Sequence, residues 1–496
     1  MVPIAFSAIA LAVGGRLGKY AGWLAFAVLT YTTGLLGFIL FQLRSWGGSL
    51  VASYPWGRYL GDFTLVADGL STPFALVISM LAALIAIYSI SYMEHERNLH
   101  AYFALYLLYS AGMMGTVLVT NLAAFFVFFE LMLIPSWALI GVWGTGAREK
   151  IAFKYFMFTE AGALFLLAGI VTARFLAGTF DVFAIAAGME RVSVGTAVAI
   201  VSAILLGLFV KMAIFPLHTW LPDAHAEAPT PISALLSPAM VGIGGYAAIR
   251  IVYTAFPMVL GHGQFVMALV VLAVVTMIYG GYMALAQDDI KRLLAYSSIS
   301  QMGYLLFGVV SLSALGLTGA VLIYVSHGLG KAILFMVAGI FIHTLHTRSI
   351  RELGGLAGRM PYSATATLLG FLTLMGAPPL IGFWGEFFTF GGSIYTGTGF
   401  GGVTAPNLTR IWVTGIAVVF SAMTAGYGLW TVRRVFFGGT PEPLKEAKEG
   451  PRLMTAPILV LAVVAVVLGI YPTVLTNVAA PFLSQLLSGL TPAMGS

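Results

Sequence analysis

Long apolar runs are the feature that most constrains this sequence. They follow one another from the first residues to about residue 475, and charged residues make up only 8% of the 496 positions. A helix needs about 20 mostly apolar residues to cross the roughly 30 Å hydrocarbon core of a bilayer. So few charges could not cover the surface of a soluble protein of this size. The chain is therefore predicted to be an all-α membrane protein.

Fourteen transmembrane segments are predicted from these runs. They lie near 2–14, 20–42, 70–92, 101–119, 121–144, 153–176, 197–226, 232–255, 264–285, 297–312, 316–345, 363–397, 409–436 and 453–475. No basic residue precedes the first run, so it is predicted to stay in the membrane and not to be cleaved as a signal. The longest connections, about 43–69 and 437–452, leave no room for a soluble domain.

The charge and cysteine content exclude several classes of function. The net charge of +6 comes from basic residues scattered singly between apolar runs, so nucleic-acid binding is not expected. There is no cysteine, which excludes disulfide bonds, thiolate zinc sites and cysteine-ligated iron–sulfur clusters on this chain.

The distribution of basic residues predicts the orientation. Of 24 Lys and Arg, two lie inside segments; 16 of the others, Lys19 among them, flank one side of the predicted membrane and 6 flank the other. By the positive-inside rule both termini face away from the cytoplasm.

Several segments contain ionisable residues at bilayer depth, where charges are costly and usually functional. Glu130 lies in the middle of segment five, Glu160 in segment six and Lys211 in segment seven. A carboxyl group that only supports packing, or a lysine that only caps a helix break, are the structural alternatives. Moving a carboxylate towards or away from a buried lysine changes the proton affinity of that lysine, so this set predicts a proton path.

Segment eleven adds a second group. His327 and Lys331 are four residues apart and therefore share one helix face. His343 and His346 follow, and a satisfied core histidine is the alternative for each of the three. No carboxylate or cysteine nearby in sequence completes a set of ligands, so no metal site is predicted.

Two segments are predicted to be interrupted. Pro216 breaks segment seven just after Lys211 and close to His218, and Pro378-Pro379 breaks segment twelve just before Glu386. Five segments separate the breaks, and a repeat of five helices must reverse its orientation. The pattern is that of two inverted repeats, segments 4–8 and 9–13, around sites at the bilayer midplane. The predicted regions are 1–100 (helices 1–3), 101–255 (first half), 256–436 (second half) and 437–496 (last helix and tail).

Specific motifs now add a resemblance. The stretch Pro216-Leu-His218-Thr-Trp-Leu-Pro222-Asp223-Ala-His225 resembles the motif of the antiporter-like subunits of complex I and of Mrp-type antiporters. The stretch from Gln287 to Gly303, His327-Gly-Leu, His346-Thr-Arg and Gly382-Phe-Trp-Gly-Glu386-Phe are further matches. Together they cover about residues 60–475.

The resemblance implies a function. Glu386 occupies a position that is glutamate in subunit M (chain 4) and usually lysine in subunits L and N and in Mrp subunits. Glu130 and Lys211 would then be a coupled pair, His327 a relay and Glu386 the terminal exchange residue, with Lys331 and, more weakly, Glu160, His218 and His346 as further candidates. Such a subunit pumps protons while other subunits carry out the redox chemistry.

Partners and location follow from the same resemblance. No cofactor is expected on this chain; iron–sulfur clusters, flavin and quinone are expected on partner subunits. The expected partners are L-, N-, K- and H-like membrane subunits and a peripheral redox arm, in the inner membrane of a prokaryotic cell. The electron donor, and whether sodium replaces the proton, stay open.

The sequence departs from the family pattern at three positions. Gly242 stands where the family has a lysine in segment eight, so the link between the two halves lacks its central base. Lys331 is more typical of subunits L and N, and we hypothesise that it takes over the bridging role. Glu160 occupies a position that is often neutral.

Two other functions remain open at this stage. The chain could belong to a multi-subunit sodium/proton antiporter without a redox partner, against which Glu386 argues. It could also be a scaffold with an inactive channel, which Gly242 suggests. The presence of Glu130, Lys211 and Glu386 argues against a scaffold.

Overall fold

The computed structural model of the chain describes residues 2–18, 20–399 and 405–488. Lys19, which contributes to the predicted charge asymmetry, lies outside the described residues. The end of the predicted C-terminal region, 489–496, does so too.

The described part of the chain consists of helices and one β-hairpin. The helices are α1 Val2–Val13, α2 Tyr20–Trp46, α3 Ser71–Tyr92, α4 Leu99–Leu118, α5 Leu122–Trp143, α6 Arg148–Ala177, α7 Ile185–Gly188, α8 Val194–Met212, α9 Leu221–Glu227, α10 Thr230–Leu235, α11 Ile243–Ala255, α12 Pro257–Leu260, α13 Gly263–Leu285, α14 Ile290–Val309, α15 Ala314–Leu345, α16 Pro361–Leu374, α17 Ile381–Gly397, α18 Leu408–Phe436, α19 Arg452–Ile470 and α20 Thr473–Ser488. The hairpin consists of β1 Leu50–Gly57 and β2 Gly61–Ala67.

Eleven spans in the described ranges are long and apolar enough to cross a membrane. The other three predicted segments correspond to the short helix α1, to α14, and to the interrupted pair α16 and α17. The multi-pass helical fold is confirmed, while the count of fourteen segments stays a prediction. Successive segments run in opposite directions between two faces of the protein. We call the face that carries the β1–β2 hairpin the hairpin face, and the other one the opposite face.

Both predicted helix breaks are confirmed. Helix α8 ends at Met212 and α9 starts at Leu221; α16 ends at Leu374 and α17 starts at Ile381. A break leaves carbonyl groups without helical partners, and other side chains must satisfy them inside a membrane. The Trp220 indole donates to Val210 O (2.9 Å), and the Gln301 amide donates to Leu374 O (3.1 Å).

The region predicted as one helix over 232–255 contains a further irregularity. A π-helical turn over Leu236–Val241 separates α10 from α11 and is followed directly by Gly242. A Cβ atom at Gly242 would lie 2.4 Å from the Tyr324 ring. Tyr324 is fixed there because it stacks on Phe74 (ring centroids 4.1 Å apart) and donates to Ala239 O (3.1 Å). No side chain therefore fits at this position without displacing Tyr324.

The centre of the fold is formed by α15 together with α10, the π turn and α11. These elements are almost entirely buried, whereas α2 and α18 expose broad apolar surfaces. Apolar surface of that extent fits a lipid environment, where it carries no cost. His327 and Lys331 thus lie on one of the two most enclosed spans of the described residues.

Two elements were not predicted from the sequence. The connection 43–69 forms the antiparallel hairpin, whose first strand is exposed along its whole length. The Asn121 amide anchors its turn by donating to Leu60 O (2.7 Å) and Asp62 O (3.0 Å). The C-terminal region contains α20 in addition to the last predicted helix.

Candidate functional site

The first group of ionisable residues lies around the end of α8. Lys211 is 1% exposed, and its ammonium nitrogen lies 5.0 Å from the centre of the Phe129 ring without a hydrogen-bond partner. Glu130 and Glu160, both half-buried, interact electrostatically with Lys211 and with each other. One carboxylate oxygen of Glu130 is buried and also has no hydrogen-bond partner. The structure thus brings the three predicted residues together.

Lys211 does not act as a cap for the helix break. The carbonyl group of Val210 next to it is satisfied by the Trp220 indole, and the Lys211 ammonium donates to no carbonyl. A buried ammonium group near carboxylates but free of hydrogen bonds can release a proton, and the amine that results can take one up again, without first breaking a hydrogen bond. The capping interpretation of Lys211 is therefore not supported.

The second group lies in the middle of α15. Lys331 is fully buried and donates to Leu294 O (2.9 Å) and to the Ser297 hydroxyl, both on α14. In contrast to Lys211, it has no carboxylate among its electrostatic partners in the described part of the chain. Its charge is therefore stabilised by dipoles instead of by an anion.

Glu386 occupies the first turns of α17, just past the second break. It is half-buried, and one of its carboxylate oxygens has no hydrogen-bond partner. A Cβ atom at Gly376 would lie 2.9 Å from this carboxylate, and Gly376 has φ +67°. The break therefore needs glycine at 376 both for its backbone conformation and to leave room for the Glu386 side chain.

Buried polar side chains connect Lys331 to Glu386. The Ser297 hydroxyl, which accepts from Lys331, lies close to the Tyr427 hydroxyl. Tyr427 and Tyr304 both interact electrostatically with Glu386, and the Tyr304 hydroxyl lies 3.4 Å from the Thr424 hydroxyl. The Tyr427 hydroxyl itself makes no hydrogen bond of regular geometry. Each of these groups can both donate and accept a proton, which a relay requires.

Two histidines lie between the halves. His225 on α9 and His327 on α15 are completely buried, and neither ring makes a hydrogen bond. Both interact electrostatically with Lys331 and with each other, and the His225 ring stacks on Phe335 (centroids 4.8 Å apart). His327 is thus where the sequence predicted it, close to Lys331. His225 belongs to the recognised motif but was not among the candidate residues.

An ionic network on the opposite face holds α9 in place. Asp223 accepts from Lys154 (2.7 Å) on α6 and from Arg292 (2.9 Å) on α14. The Lys291 ammonium donates to Ala228 O (2.6 Å), and Arg348 donates to Ala226 O (2.7 Å). These cations satisfy the free carbonyls at the C-terminal end of α9, where positive charge is favourable. The network joins the two halves and fixes the helix that carries His225.

The weaker candidates divide into two kinds. His218 is buried, and its ring lies 3.0 Å from the Tyr279 hydroxyl, so it forms a polar step between Lys211 and the opposite face. His346 is exposed at the C-terminal end of α15, and His343 contacts Tyr92 near that end. The structure does not bring these two together with the buried groups. No cluster of His, Asp or Glu suitable for a metal ion occurs in the described ranges.

Sequence reasoning missed four hydroxyl-bearing residues of the second half. Residues of these types are common in apolar helices, and only burial around Lys331 and Glu386 distinguishes this set. The set consists of Ser297, Thr424, Tyr304 and Tyr427. For His225 a signal was available in the sequence, because it belongs to the motif that directly follows the predicted break at Pro216.

Comparison with protein families supports the resemblance. The family described as "NADH:quinone oxidoreductase/Mrp antiporter, TM" matches residues 119–409. A second one, described as "NADH-Ubiquinone oxidoreductase (complex I), chain 5 N-terminus", matches residues 56–103.

Two curated relatives match nearly the whole chain. NAD(P)H-quinone oxidoreductase chain 4 1 of Synechococcus sp. (strain JA-3-3Ab) is 34% identical over 92% of this chain and 86% of its own length. NADH-quinone oxidoreductase subunit M of Rhodobacter capsulatus is 30% identical over 100% of this chain and 96% of its own.

Two solved structures share the fold over almost the full length. A chain of the Mrp complex from Dietzia sp. DQ12-45-1b matches with a TM-score of 0.87 at 24% identity, covering 99% of this chain and 97% of that one. A chain of respiratory complex I from Thermus thermophilus with bound NADH matches with a TM-score of 0.86 at 26% identity, covering 100% and 98%. At 24% identity, the match to the Mrp complex chain supports the shared fold alone.

Proposed function

The chain belongs to the NADH:quinone oxidoreductase/Mrp antiporter family of membrane subunits, and from this premise we propose that it is an M-type proton-translocating subunit of a complex I-like oxidoreductase. The relatives that match it over most of its length are named as subunit M or chain 4. The observation that carries the proposal is the series of buried acids and bases with unsatisfied polar atoms, which crosses both halves of the fold.

The chemistry of the first half rests on Lys211 and its two carboxylates. Burial makes each charge costly, so the presence of a proton on Glu130 or Glu160 changes how strongly Lys211 holds its own. A change of one pKa unit corresponds to about 1.4 kcal/mol, so a small displacement of these groups is enough to load or unload the lysine. His218 and Tyr279 provide a polar step towards the opposite face.

The chemistry of the second half uses neutral groups between two ionisable ends. A proton that leaves Lys331 meets the Ser297 hydroxyl first, then the hydroxyls near Tyr427 and Tyr304, and finally the Glu386 carboxylate. Hydroxyl groups donate and accept in turn, so each transfer restores the donor for the next one.

Lys331 and His225 replace the missing lysine of segment eight in this proposal. Gly242 leaves no space for a side chain, since Tyr324 fills it. Lys331 interacts with His225, which belongs to the first half, and with His327 on its own helix. The contact between the halves thus moves from segment eight to segment eleven. A scaffold with a dead channel would not need this set of unpaired buried groups.

The chain would act without a cofactor of its own. We place iron–sulfur clusters, flavin and quinone on partner subunits, among them L-, N-, K- and H-like membrane subunits and a peripheral arm. We propose that the opposite face points towards the cytoplasm and that both termini lie outside, in a prokaryotic inner membrane, and the excess of basic residues on the opposite face supports this orientation.

Co-purification tests this function. The chain is tagged in its native membrane, the complex is extracted in mild detergent, and the bound proteins are identified by mass spectrometry. Co-purifying iron–sulfur subunits are the expected result and identify the class of electron donor. Recovery of antiporter-like subunits alone would overturn the proposal and favour the alternative, a multi-subunit sodium/proton antiporter.

A further inference from the structure

An apolar groove runs along the outer side of α2. It has a volume of about 320 Å³ and is lined by Tyr31, Leu35 and Ile39 of α2, by both hairpin strands, and by α4. Leu35 is 46% exposed and Tyr31 61% exposed. The groove is therefore open to the surface that faces lipid.

A polar cavity lies at the hairpin-face end of the same helix. Its volume is about 580 Å³, and Arg44, Ser49, Asn477 and Gln485 contribute polar groups to its lining. Arg44 is exposed and takes part in no ion pair within the described part of the chain. Two of these residues belong to α20, an amphipathic helix that packs beside α2.

The two cavities are neighbours. Val51 of β1 and Val66 of β2 line both of them, so the hairpin forms a common wall. The two adjoining cavities thus offer an apolar groove at membrane depth and, beside it, a cavity with a cation at the membrane surface that has no ion pair in the described residues.

We propose that this composite site binds one anionic phospholipid, with an acyl chain in the groove and the phosphate at Arg44. The dimensions agree with this occupant. The groove follows α2 from Ile39 to Tyr31, which lie about 7 Å and about 20 Å from Arg44 along the helix axis at 1.5 Å per residue. A single leaflet of hydrocarbon is about 15 Å deep, so an acyl chain spans the groove.

The charged residues that line the second cavity also agree with an anionic lipid as the occupant. Asp68 also lines the polar cavity, but Arg250 contacts both of its carboxylate oxygens at 2.7 Å, which neutralises the acid. Arg44 is then the uncompensated charge of the cavity, and the amides of Asn477 and Gln485 can donate to phosphate oxygens. A basic residue at the surface attracts anionic lipid, which gives the site a headgroup preference.

Lipid retention by the assembled complex tests the headgroup end. The purified complex is delipidated, exposed to nanodiscs of equal phosphatidylglycerol and phosphatidylcholine, recovered, and analysed for bound lipid by native mass spectrometry. Arg44→Gln is expected to reduce retained phosphatidylglycerol about fivefold, the factor typical of one basic residue near the surface. Arg58→Gln, an exposed arginine in the hairpin turn on the same face, is the matched control and should retain the lipid. Equal retention in the two variants would overturn the proposal.

The acyl end is tested separately. Leu35→Trp fills the groove and should reduce retention of both lipids, whereas Phe38→Trp, an exposed position on the same helix outside the groove, should not. A photo-crosslinking benzophenone residue in place of Leu35 identifies the occupant. An adduct with the mass of a phospholipid, richer in anionic lipid than the adduct formed at Phe38, supports the site. A crosslink to another subunit or to a second copy of this chain would show that the groove is a protein interface and overturn the proposal.

Discussion

The two halves of this protein bury the same kinds of groups in different arrangements. In the first half Lys211 interacts electrostatically with two carboxylates, and its ammonium makes no hydrogen bond within the described residues. In the second half Lys331 is held by a carbonyl and a hydroxyl, and the acid, Glu386, is separated from it by Ser297 and Tyr427. The base and its acids interact directly in one half and through intervening hydroxyls in the other.

This difference indicates that protons are loaded and unloaded at Lys211 and relayed between the halves at Lys331. A lysine beside a carboxylate responds strongly to the protonation of that carboxylate, because Coulomb interactions are strong where water is excluded. A lysine held by neutral dipoles responds less and is suited to relay a proton between the halves. The halves should therefore react differently to matched substitutions, with the largest loss at Lys211.

Replacing Lys211 tests the direct pair. Lys211→Met leaves two half-buried carboxylates without their cation, and losing one partner of a fully buried charge pair costs about 3–5 kcal/mol. We expect the rate of proton translocation by the reconstituted complex in proteoliposomes to fall about a hundredfold. Lys150→Met, at an exposed lysine of α6, should leave translocation unchanged. Full translocation in an assembled Lys211→Met complex would remove the distinction between the halves and support a scaffold.

Replacing Lys331 tests the link between the halves. Lys331→Met removes a relay group but leaves no carboxylate without its cation, so translocation in the same assay should fall about tenfold, equivalent to about 1.4 kcal/mol. Adding Gly242→Lys should not restore it, because Tyr324 occupies the space. Lys445→Met, in an exposed ion pair, is the control. If Gly242→Lys does restore translocation, the bridging role belongs to segment eight after all.

Most of the fold was predictable because membrane helices leave clear signals in a sequence. Apolar runs gave the segments, and Pro216 and Pro378-Pro379 gave both breaks, since a proline removes a backbone hydrogen bond and weakens the helix. The π turn at Leu236–Val241 and the hairpin were not predicted. The π turn depends on tertiary packing around Tyr324, and neither hairpin strand alternates between buried and exposed residues in the way that would reveal it.

The candidate site was predictable only where ionisable residues are rare. Glu130, Lys211, Lys331 and Glu386 stand out because charges at membrane depth need a reason. Hydroxyl residues carry no such signal, so the connection through Ser297 and Tyr427 could be found only from their positions in space. His346 shows the opposite case: the sequence placed it near the end of segment eleven, and only the structure shows that this end is exposed.

Glu160 is a second carboxylate beside Lys211, whereas Lys331 has no carboxylate among its electrostatic partners in the described residues. Replacing Glu160 therefore tests this difference between the halves. Glu160 is half-buried, and the contribution of a partly solvated charge is reduced by screening, so Glu160→Gln should lower translocation only about threefold. Glu149→Gln, an exposed acid on the same helix, should have no effect. A loss as large as that of Lys211→Met would make Glu160, and not Glu130, the principal partner of Lys211.

The smallest expected effect concerns the hydroxyls between Lys331 and Glu386. Tyr427→Phe removes one neutral hydroxyl without changing the ring or any charge, so translocation should fall only about twofold, equivalent to about 0.4 kcal/mol. Tyr395→Phe, an exposed tyrosine on α17, is the matched control. If the hydroxyls are the route, Ser297→Ala combined with Tyr427→Phe should lower translocation no more than the stronger single substitution, because both interrupt one path. Additive losses would mean that two routes reach Glu386, and that the second half is a network of parallel paths instead of a single relay.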